Sequence, residues 1–432
     1  MEDDRECLKI VEICRVAPFP SLCSPKFLPL TIFDIILLQC PSISRLYFYQ
    51  NSITNNNNVL QKLKHSLSLI LTHYLPLAGN LIWPQDSHKP IIQFLEGDTV
   101  SLTVAESSSD HDFHYLSGDG FRLQAKYCHL VPELPMVDNR VAVMALQLTF
   151  FPNKGFSIGI TTHHGVVDGK TSTSFFKAWA HVCNNNLDIT QPSSIPFYDR
   201  TTILNSTSHL EPTSLNKDLN LRFSFQTKPD WFRYTLELRS QDLQKLKKCF
   251  DECSSYKATV AYLLVCSAKM KSGLRDGKIY CTFPVDLRSR VHPPLPSNYF
   301  GNCIIGRLFS VERKEVLGEN GMLVVAREIS KEVQSLEEEG IGKAVEKRIS
   351  QSKMSNEKEE RYCMPGSPKF EVYSADFGWG KPIKVEFISM DWMLRPLADS
   401  KNGDGGIEIG LVGERNELEM MVAVFSQGLQ AL

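Results

Sequence analysis

Apolar and polar positions along the chain follow two periods, one of two residues and one of three to four. Alternating or unbroken apolar runs of strand length predict β-strands over residues 8–16, 45–49, 91–94, 100–104, 141–151, 156–161, 231–238, 279–285, 370–376 and 406–411. Helical spacing predicts amphipathic or buried helices over residues 59–74, 173–182, 241–253, 256–271, 322–339 and 418–425. Both kinds of element occur in both halves, so the pattern predicts a mixed α/β fold.

Neither period persists between residues 186 and 220, where Asn, Ser, Thr and Pro dominate. We therefore expect a linker over 186–220 between an N-terminal domain, residues 1–185, and a C-terminal domain, residues 221–432. Residues 350–368 are dense in charged and small side chains, which predicts a mobile surface loop.

Composition narrows the class of protein. The chain has 432 residues, 42% of them hydrophobic, and a formal net charge of −2, so we expect no binding to nucleic acid or to an anionic membrane. No apolar run approaches the ~20 residues of a membrane span, and the acidic residues 1–6 do not resemble a signal peptide. Twelve cysteines are scattered singly, without metal-ligand spacing. We expect a cytoplasmic protein without a metal.

Residues 159–171 carry the side chains best suited to catalysis. This stretch joins a predicted hairpin to a predicted helix. His163 and His164 end the second strand, and Asp168 lies in the turn. A histidine at a strand end can act as a base, because its ordinary pKa lies near neutrality. Asp168 can orient an imidazole or hold the turn through an arginine. The alternative is a pair of core histidines with Asp168 capping the helix.

Two other stretches have both a functional and a structural interpretation. Ser254, Ser255 and Lys257 begin a predicted helix, where they suit a phosphate group, although ordinary capping explains the serines equally well. Two glycines flank Trp379 within residues 376–380, which predicts a tight bend holding the indole. A core tryptophan at a strand end is the alternative.

These motifs resemble a known family. Residues 163–170 and 376–380 are similar to HxxxD and DFGWG, the two signature motifs of the plant BAHD acyltransferases, in the same order and at a similar separation. Residues 298–303 resemble the YFGNC block of the anthocyanin and flavonoid glycoside branch, many of whose members use malonyl-CoA. Further family blocks resemble residues 28–31, 74–79 and 405–410, so the resemblance spans nearly the whole chain.

The resemblance implies a fold and partners. It implies a monomer of two similar chloramphenicol-acetyltransferase-like domains, each a mixed β-sheet with helices, and a channel between them. Acyl-CoA is then a co-substrate that enters from one side, and the hydroxyl acceptor enters from the other. No permanently bound cofactor is expected.

The resemblance also implies residue roles. His164 becomes the general base, and Asp168 forms a salt bridge with an arginine of the other domain, for which we expect Arg288. Trp379 is expected to help stabilise the oxyanion. The CoA-binding candidates are Ser254, Ser255 and Lys257. Structural support for the site is expected from Arg288, Asp376, Gly378 and Gly380.

The expected reaction is transfer of a malonyl or acetyl group from acyl-CoA to a sugar hydroxyl of a flavonoid, anthocyanin or other phenolic glycoside. A hydroxycinnamoyl-CoA-dependent enzyme of the same fold and a non-catalytic glycoside- or CoA-binding relative are the alternatives. Gly165 and Ala375 replace the alanine and threonine of many branch members, which leaves the donor open. A malonyl donor needs a cation for its carboxylate, and the sequence does not indicate which arginine supplies it.

Overall fold

The structure is a computed structural model. It describes residues 8–19, 26–50, 56–87, 89–108, 112–185, 195–207, 210, 228–250, 252–271, 276–352 and 360–432. The strands are β1 Leu8–Val16, β2 Lys26–Pro29, β3 Ile43–Gln50, β4 Asn80–Ile82, β5 Ile91–Phe94, β6 Val100–Ser107, β7 Arg122–Leu123, β8 Met136–Val137, β9 Arg140–Ala142, β10 Met144–Phe151, β11 Gly155–Thr162, β12 Phe232–Leu238, β13 Lys278–Asp286, β14 Ile304–Glu312, β15 Glu360–Cys363, β16 Lys384–Phe387, β17 Leu397–Asp399 and β18 Ile407–Gly413. The helices are α1 Ile32–Ile35, α2 Asn56–Leu71, α3 Leu75–Ala78, α4 Asp112–Ser117, α5 Ala125–Cys128, α6 Gly169–Asn184, α7 Thr201–Ser206, α8 Ser240–Lys247, α9 Ser255–Met270, α10 Arg313–Val316, α11 Gly321–Ser352 and α12 Arg415–Gln430.

The predicted hairpin forms the middle of a six-stranded sheet with the order β1-β6-β10-β11-β3-β16. Every residue of β10 and β11 is buried, which explains their nearly unbroken apolar sequence. The turn between them needs Gly155, because a Cβ there would lie 2.1 Å from the Tyr49 carbonyl oxygen. Helix α6 follows β11 and packs on the sheet, where Phe176 stacks on Tyr47 with 3.9 Å between ring centroids.

The C-terminal half is built around α9, whose residues 258–268 are all buried. A four-stranded sheet β17-β18-β12-β7 and a three-stranded sheet β14-β13-β15 enclose a second core with α9, α11 and α12. Among the described residues, no helix is both long and apolar enough to cross a membrane. The same residues contain no group of three or more His, Cys, Asp and Glu side chains placed to hold a metal ion.

The two halves exchange strands. From the C-terminal half, β16 pairs with β3 of the six-stranded sheet, and from the N-terminal half, β7 pairs with β12. At this junction Glu386 of β16 is buried between Arg122 of β7 at 2.7 Å and Arg233 of β12 at 2.8 Å. Burial opposes ionisation of Glu386, but the two guanidinium groups outweigh it and lower the pKa of Glu386 to about 2. The boundaries at residues 185 and 221 stay a prediction.

The strand predicted over residues 370–376 is wrong. Two 3-10 helices, Pro368–Phe370 and Val372–Ser374, occupy this segment. Glu371 between them adopts the left-handed region with φ of 53°. Asp399 accepts hydrogen bonds from the backbone N–H of Val372 at 2.7 Å and of Tyr373 at 3.3 Å. A β-ladder would need those same donors, so a side chain distant in sequence overrides the local alternation.

Other predicted elements differ in extent. Helix α11 runs beyond residue 339 to Ser352, with non-helical backbone at Gly340. Within the predicted surface loop, residues 353–359 lie outside the described residues, and β15 pairs in parallel with β13. Within the predicted linker, α7 is helical, whereas residues 186–194, 208–209 and 211–220 lie outside the described residues.

Candidate active site

The two histidines follow the end of β11 and differ in their surroundings. His163 is 1% exposed, and its Nδ1 accepts a hydrogen bond from the Gly165 backbone N–H at 3.0 Å. Burial lowers the pKa of His163 to about 3, and the neighbouring His164 adds to this shift. His163 is therefore a core histidine. For this one of the two histidines, the structural alternative stated above holds.

His164 is half-buried and lines a channel of about 1460 Å³. Its Nδ1 is buried, which leaves Nε2 as the nitrogen available to the channel. Burial lowers the pKa of His164, although Asp168 and nearby backbone carbonyls oppose the shift. The imidazole is therefore neutral at pH 7 and can accept a proton.

The Asp168 carboxylate binds groups of the loop and of Arg288, and it makes no hydrogen bond to the imidazole of either histidine in the described residues. As the N-cap of α6 it accepts from the Thr171 backbone N–H at 2.9 Å, and it also accepts from the Cys303 backbone N–H at 3.2 Å. Its salt bridge with Arg288 measures 2.9 Å, with side chains 1% and 3% exposed. The expected partner is thus in contact with Asp168. Burial opposes the charge on Arg288, but Asp168 and Asp286 raise the pKa of its guanidinium.

A second buried network, which the sequence reasoning missed, holds the His164 backbone. Asn302 Nδ2 donates to the His164 carbonyl oxygen and to Asp34 Oδ1, both at 2.9 Å. Asp34 in turn forms a buried salt bridge with Arg200 at 2.8 Å and a capping box with Thr31. The T-x-x-D spacing of residues 31–34 was the available signal for Asp34. Arg200, in a turn-rich stretch, offered none.

The three CoA-binding candidates line the same channel as His164. Ser254 caps α9, since its Oγ accepts from the Lys257 backbone N–H at 3.2 Å. Lys257 Nζ lies 3.1 Å from Ser330 Oγ across the channel wall. Capping is therefore observed, and the role of these residues toward CoA stays a prediction.

Trp379 lies far from His164. Its ring packs edge-on against Phe156 at 5.6 Å, and Lys62 Nζ lies 5.1 Å from the ring centroid. Phe156 is near the start of β11, six residues before the strand ends at Thr162. At the rise of a β-strand these two residues are about 20 Å apart. An indole N–H at that end cannot reach an oxyanion beside His164, so the expected oxyanion role of Trp379 is wrong.

The rest of this motif forms a turn. Asp376 Oδ1 accepts from the backbone N–H groups of Gly378 at 2.7 Å and Gly380 at 3.0 Å. Both glycines have positive φ, 96° and 92°, which is strained for other residues. The turn anchors Phe377, whose ring packs against Trp179 at 4.8 Å in the core behind α6. The contribution of Asp376, Gly378 and Gly380 to the site is thus indirect and stays a prediction.

Known proteins share this sequence and fold. The sequence model of the Transferase family matches residues 12–427. The chain is 36% identical, over 100% of both chains, to a malonyl-CoA:anthocyanidin 5-O-glucoside-6''-O-malonyltransferase of Arabidopsis thaliana. It is 34% identical, over 99% of both chains, to phenolic glucoside malonyltransferase 1 of the same plant.

Two solved structures have the same fold. Vinorine synthase superposes with a TM-score of 0.75 at 20% identity, over 97% of this chain and 98% of its own. F. graminearum TRI101 complexed with ethyl coenzyme A gives 0.73 at 16% identity, over 92% and 97%. They confirm the predicted α/β class with two acyltransferase-like domains. Since the family's sequence model and the relatives cover almost the whole chain, the protein is an acyl-CoA-dependent transferase and belongs to the Transferase family, the BAHD acyltransferases.

Proposed function

We propose that this enzyme transfers a malonyl group from malonyl-CoA to a sugar hydroxyl of a phenolic glycoside, such as a flavonoid or anthocyanin glucoside. The observation that carries the reaction is His164, a neutral imidazole that lines a channel of about 1460 Å³. The names of the full-length relatives at 34% and 36% identity support the donor and the acceptor class.

In the proposed mechanism, His164 acts as general base through Nε2. The acceptor hydroxyl gives its proton to Nε2 as its oxygen attacks the thioester carbonyl, and the tetrahedral intermediate then expels the CoA thiolate. The imidazolium returns the proton to the thiolate, so His164 ends as it began. Base assistance of this kind contributes typically 10²–10⁴-fold. Holding donor and acceptor together in one channel adds the proximity contribution.

Asp168 and Asn302 are proposed as positioning residues. Asp168 holds the loop through Arg288 and the first turn of α6, and Asn302 holds the backbone carbonyl of His164. Neither needs to touch a substrate. Together they fix the imidazole from two directions, which a base needs because small displacements are costly in rate.

Acyl-CoA is proposed as a co-substrate that is not permanently bound, with Ser254, Ser255 and Lys257 along its path. The complex of TRI101 with ethyl coenzyme A supports a CoA site in this fold. On the family resemblance we further propose a cytoplasmic monomer with domains 1–185 and 221–432.

The test is incubation of the purified protein with a panel of flavonoid glucosides and, separately, malonyl-, acetyl- and p-coumaroyl-CoA. Free CoA and product mass are followed, with His164→Ala as the control. We expect a mass gain of one malonyl group that the variant does not produce. A gain with only another donor would keep the reaction and reject malonyl-CoA. CoA release that persists undiminished in His164→Ala would reject the general base.

A further inference from the structure

One buried cation of the channel has no counter-charge among the residues that the structure describes. Arg45 lies on β3, is 7% exposed and lines the channel together with His164. Across the described residues, no carboxylate lies within salt-bridge distance of Arg45. Burying a guanidinium without a counter-charge is costly even when it has hydrogen-bond partners, so its position calls for an anion that the enzyme binds.

Most other cations of the channel are already paired. Arg288 binds Asp168 at 2.9 Å. Three further pairs lie on the channel wall: Lys177 with Glu371 at 2.8 Å, Lys170 with Asp286 at 3.1 Å and Arg290 with Glu337 at 3.7 Å. The nearest comparable case is Arg348 on α11, which also has no salt bridge within the described part of the chain but is only half-buried.

Arg45 lies on the strand next to the one that carries the base. In the β3–β11 ladder Arg45 is opposite Ile160, and Ile43 is opposite Thr162. Adjacent strands are about 5 Å apart, and His164 follows Thr162 by two residues. Both side chains border the same channel, so an acyl group that presents its carbonyl carbon near His164 can extend its far end toward Arg45.

The surroundings of the guanidinium favour an anion. Arg45 Nη1 donates to the Thr173 hydroxyl oxygen, and Nη2 lies 3.5 Å from the position that a Cβ on Gly169 would occupy. Gly169 begins α6, whose N-terminus carries a partial positive charge. Two positive groups thus lie side by side, and the neighbouring Asp168 is already neutralised by Arg288. A carboxylate between them would relieve this repulsion.

An aromatic ring lies close to the guanidinium. The Phe370 ring lies 5.8 Å from Arg45 Cζ, and Phe370 also borders the channel. The planar edge of a guanidinium carries N–H donors that match a carboxylate in bidentate fashion. Lys177, the neighbouring cation, is a weaker candidate because Glu371 already pairs with it.

From this geometry we infer that Arg45 binds the free carboxylate of the malonyl group and is the residue that selects malonyl-CoA over donors without a second carboxylate. This inference rests on the proposed function. An acetyl donor, which ends in a methyl group, makes no use of the guanidinium.

The test compares kcat/KM for malonyl-CoA and acetyl-CoA with one glucoside acceptor, in the wild type, Arg45→Gln and Arg45→Lys. We expect Arg45→Gln to lower the malonyl-CoA value about 10- to 100-fold, the worth of a charged hydrogen bond, with the acetyl-CoA value changed less than about 3-fold. Activity with acetyl-CoA also shows that the variant is folded. Arg45→Lys keeps the positive charge but loses the bidentate N–H donors. Its preference for malonyl-CoA over acetyl-CoA should therefore lie between those of the wild type and Arg45→Gln.

Two matched controls address the other cations of the channel. Lys177→Gln and Arg348→Gln should each keep the malonyl preference within about 3-fold of the wild type. The inference is overturned if Arg45→Gln loses both donors in parallel, or if either control variant loses the preference while Arg45→Gln keeps it. A wild type that accepts another donor and not malonyl-CoA rejects the proposed donor itself, and this outcome is visible before any variant is made.

Discussion

Replacing Arg288 with methionine leaves the Asp168 carboxylate without its counter-charge at a site where both side chains are almost fully buried. The change removes the 2.9 Å salt bridge and the hydrogen bonds to Thr171 Oγ1 and the Gly301 carbonyl oxygen, each 3.1 Å. Breaking a buried pair from one side costs about 3–5 kcal/mol of folding free energy. Because Asp168 is only four residues from His164, we also expect kcat to fall about 10- to 100-fold.

Urea unfolding at pH 7 measures the stability, and turnover with malonyl-CoA measures the rate. The double variant Asp168→Asn/Arg288→Met buries no unpaired charge, so its loss should be smaller than the sum of the single losses by at least about 1.5 kcal/mol. Arg290→Met is the matched control, since Arg290 is 33% exposed and a surface pair contributes about 1 kcal/mol or less. Additive losses within about 0.5 kcal/mol, or an unchanged kcat in Arg288→Met, would refute the reasoning.

Three further predictions follow from the site. Asn302→Ala should lower kcat about 10-fold with KM nearly unchanged, because it removes the hydrogen bond to the His164 carbonyl oxygen. Asn302→Asp should be less stable than Asn302→Ala, because it places a second carboxylate beside Asp34. Steady-state kinetics and urea unfolding check both variants. Trp379→Phe should keep kcat within about 3-fold, and a loss as large as that of His164→Ala would restore a catalytic role for the indole. The pKa of His163 is lowered by burial to about 3. As pH falls from about 6.5 toward 3, this histidine is protonated in the unfolded chain but not in the folded chain, so the free energy of unfolding falls. Between pH 7 and 5 the free energy of unfolding of His163→Gln should therefore fall by about 2 kcal/mol less than that of the wild type. Parallel plots of unfolding free energy against pH for the two proteins would contradict this.

Local patterning predicted the elements that carry the base. The apolar runs of β10 and β11 and the helical spacing of α6 are each properties of one contiguous segment, so the strand–turn–helix around His164 was predicted correctly. The resemblance added Arg288, which the structure places against Asp168. The proposed role of Arg45 in donor selectivity was less accessible, because Arg45 only begins an apolar run that predicts a strand.

Long-range contacts account for what the sequence could not supply. Asp34 and Asn302 are 268 positions apart, and Asp34 and Arg200 are 166 positions apart. No period or spacing relates such residues. Trp379 shows the same limit: its motif was clear, but only the structure shows that it lies at the start of β11 and not beside His164.

The exchange of β16 and β7 between the halves has a consequence for how substrates come and go. Swinging the halves apart about a hinge would tear main-chain hydrogen bonds from two sheets at once and expose the buried Glu386 with its two arginines. We therefore expect substrates to enter and leave through the open part of the existing channel, without separation of the two halves. On this reasoning the width of that opening limits the size of the acceptor.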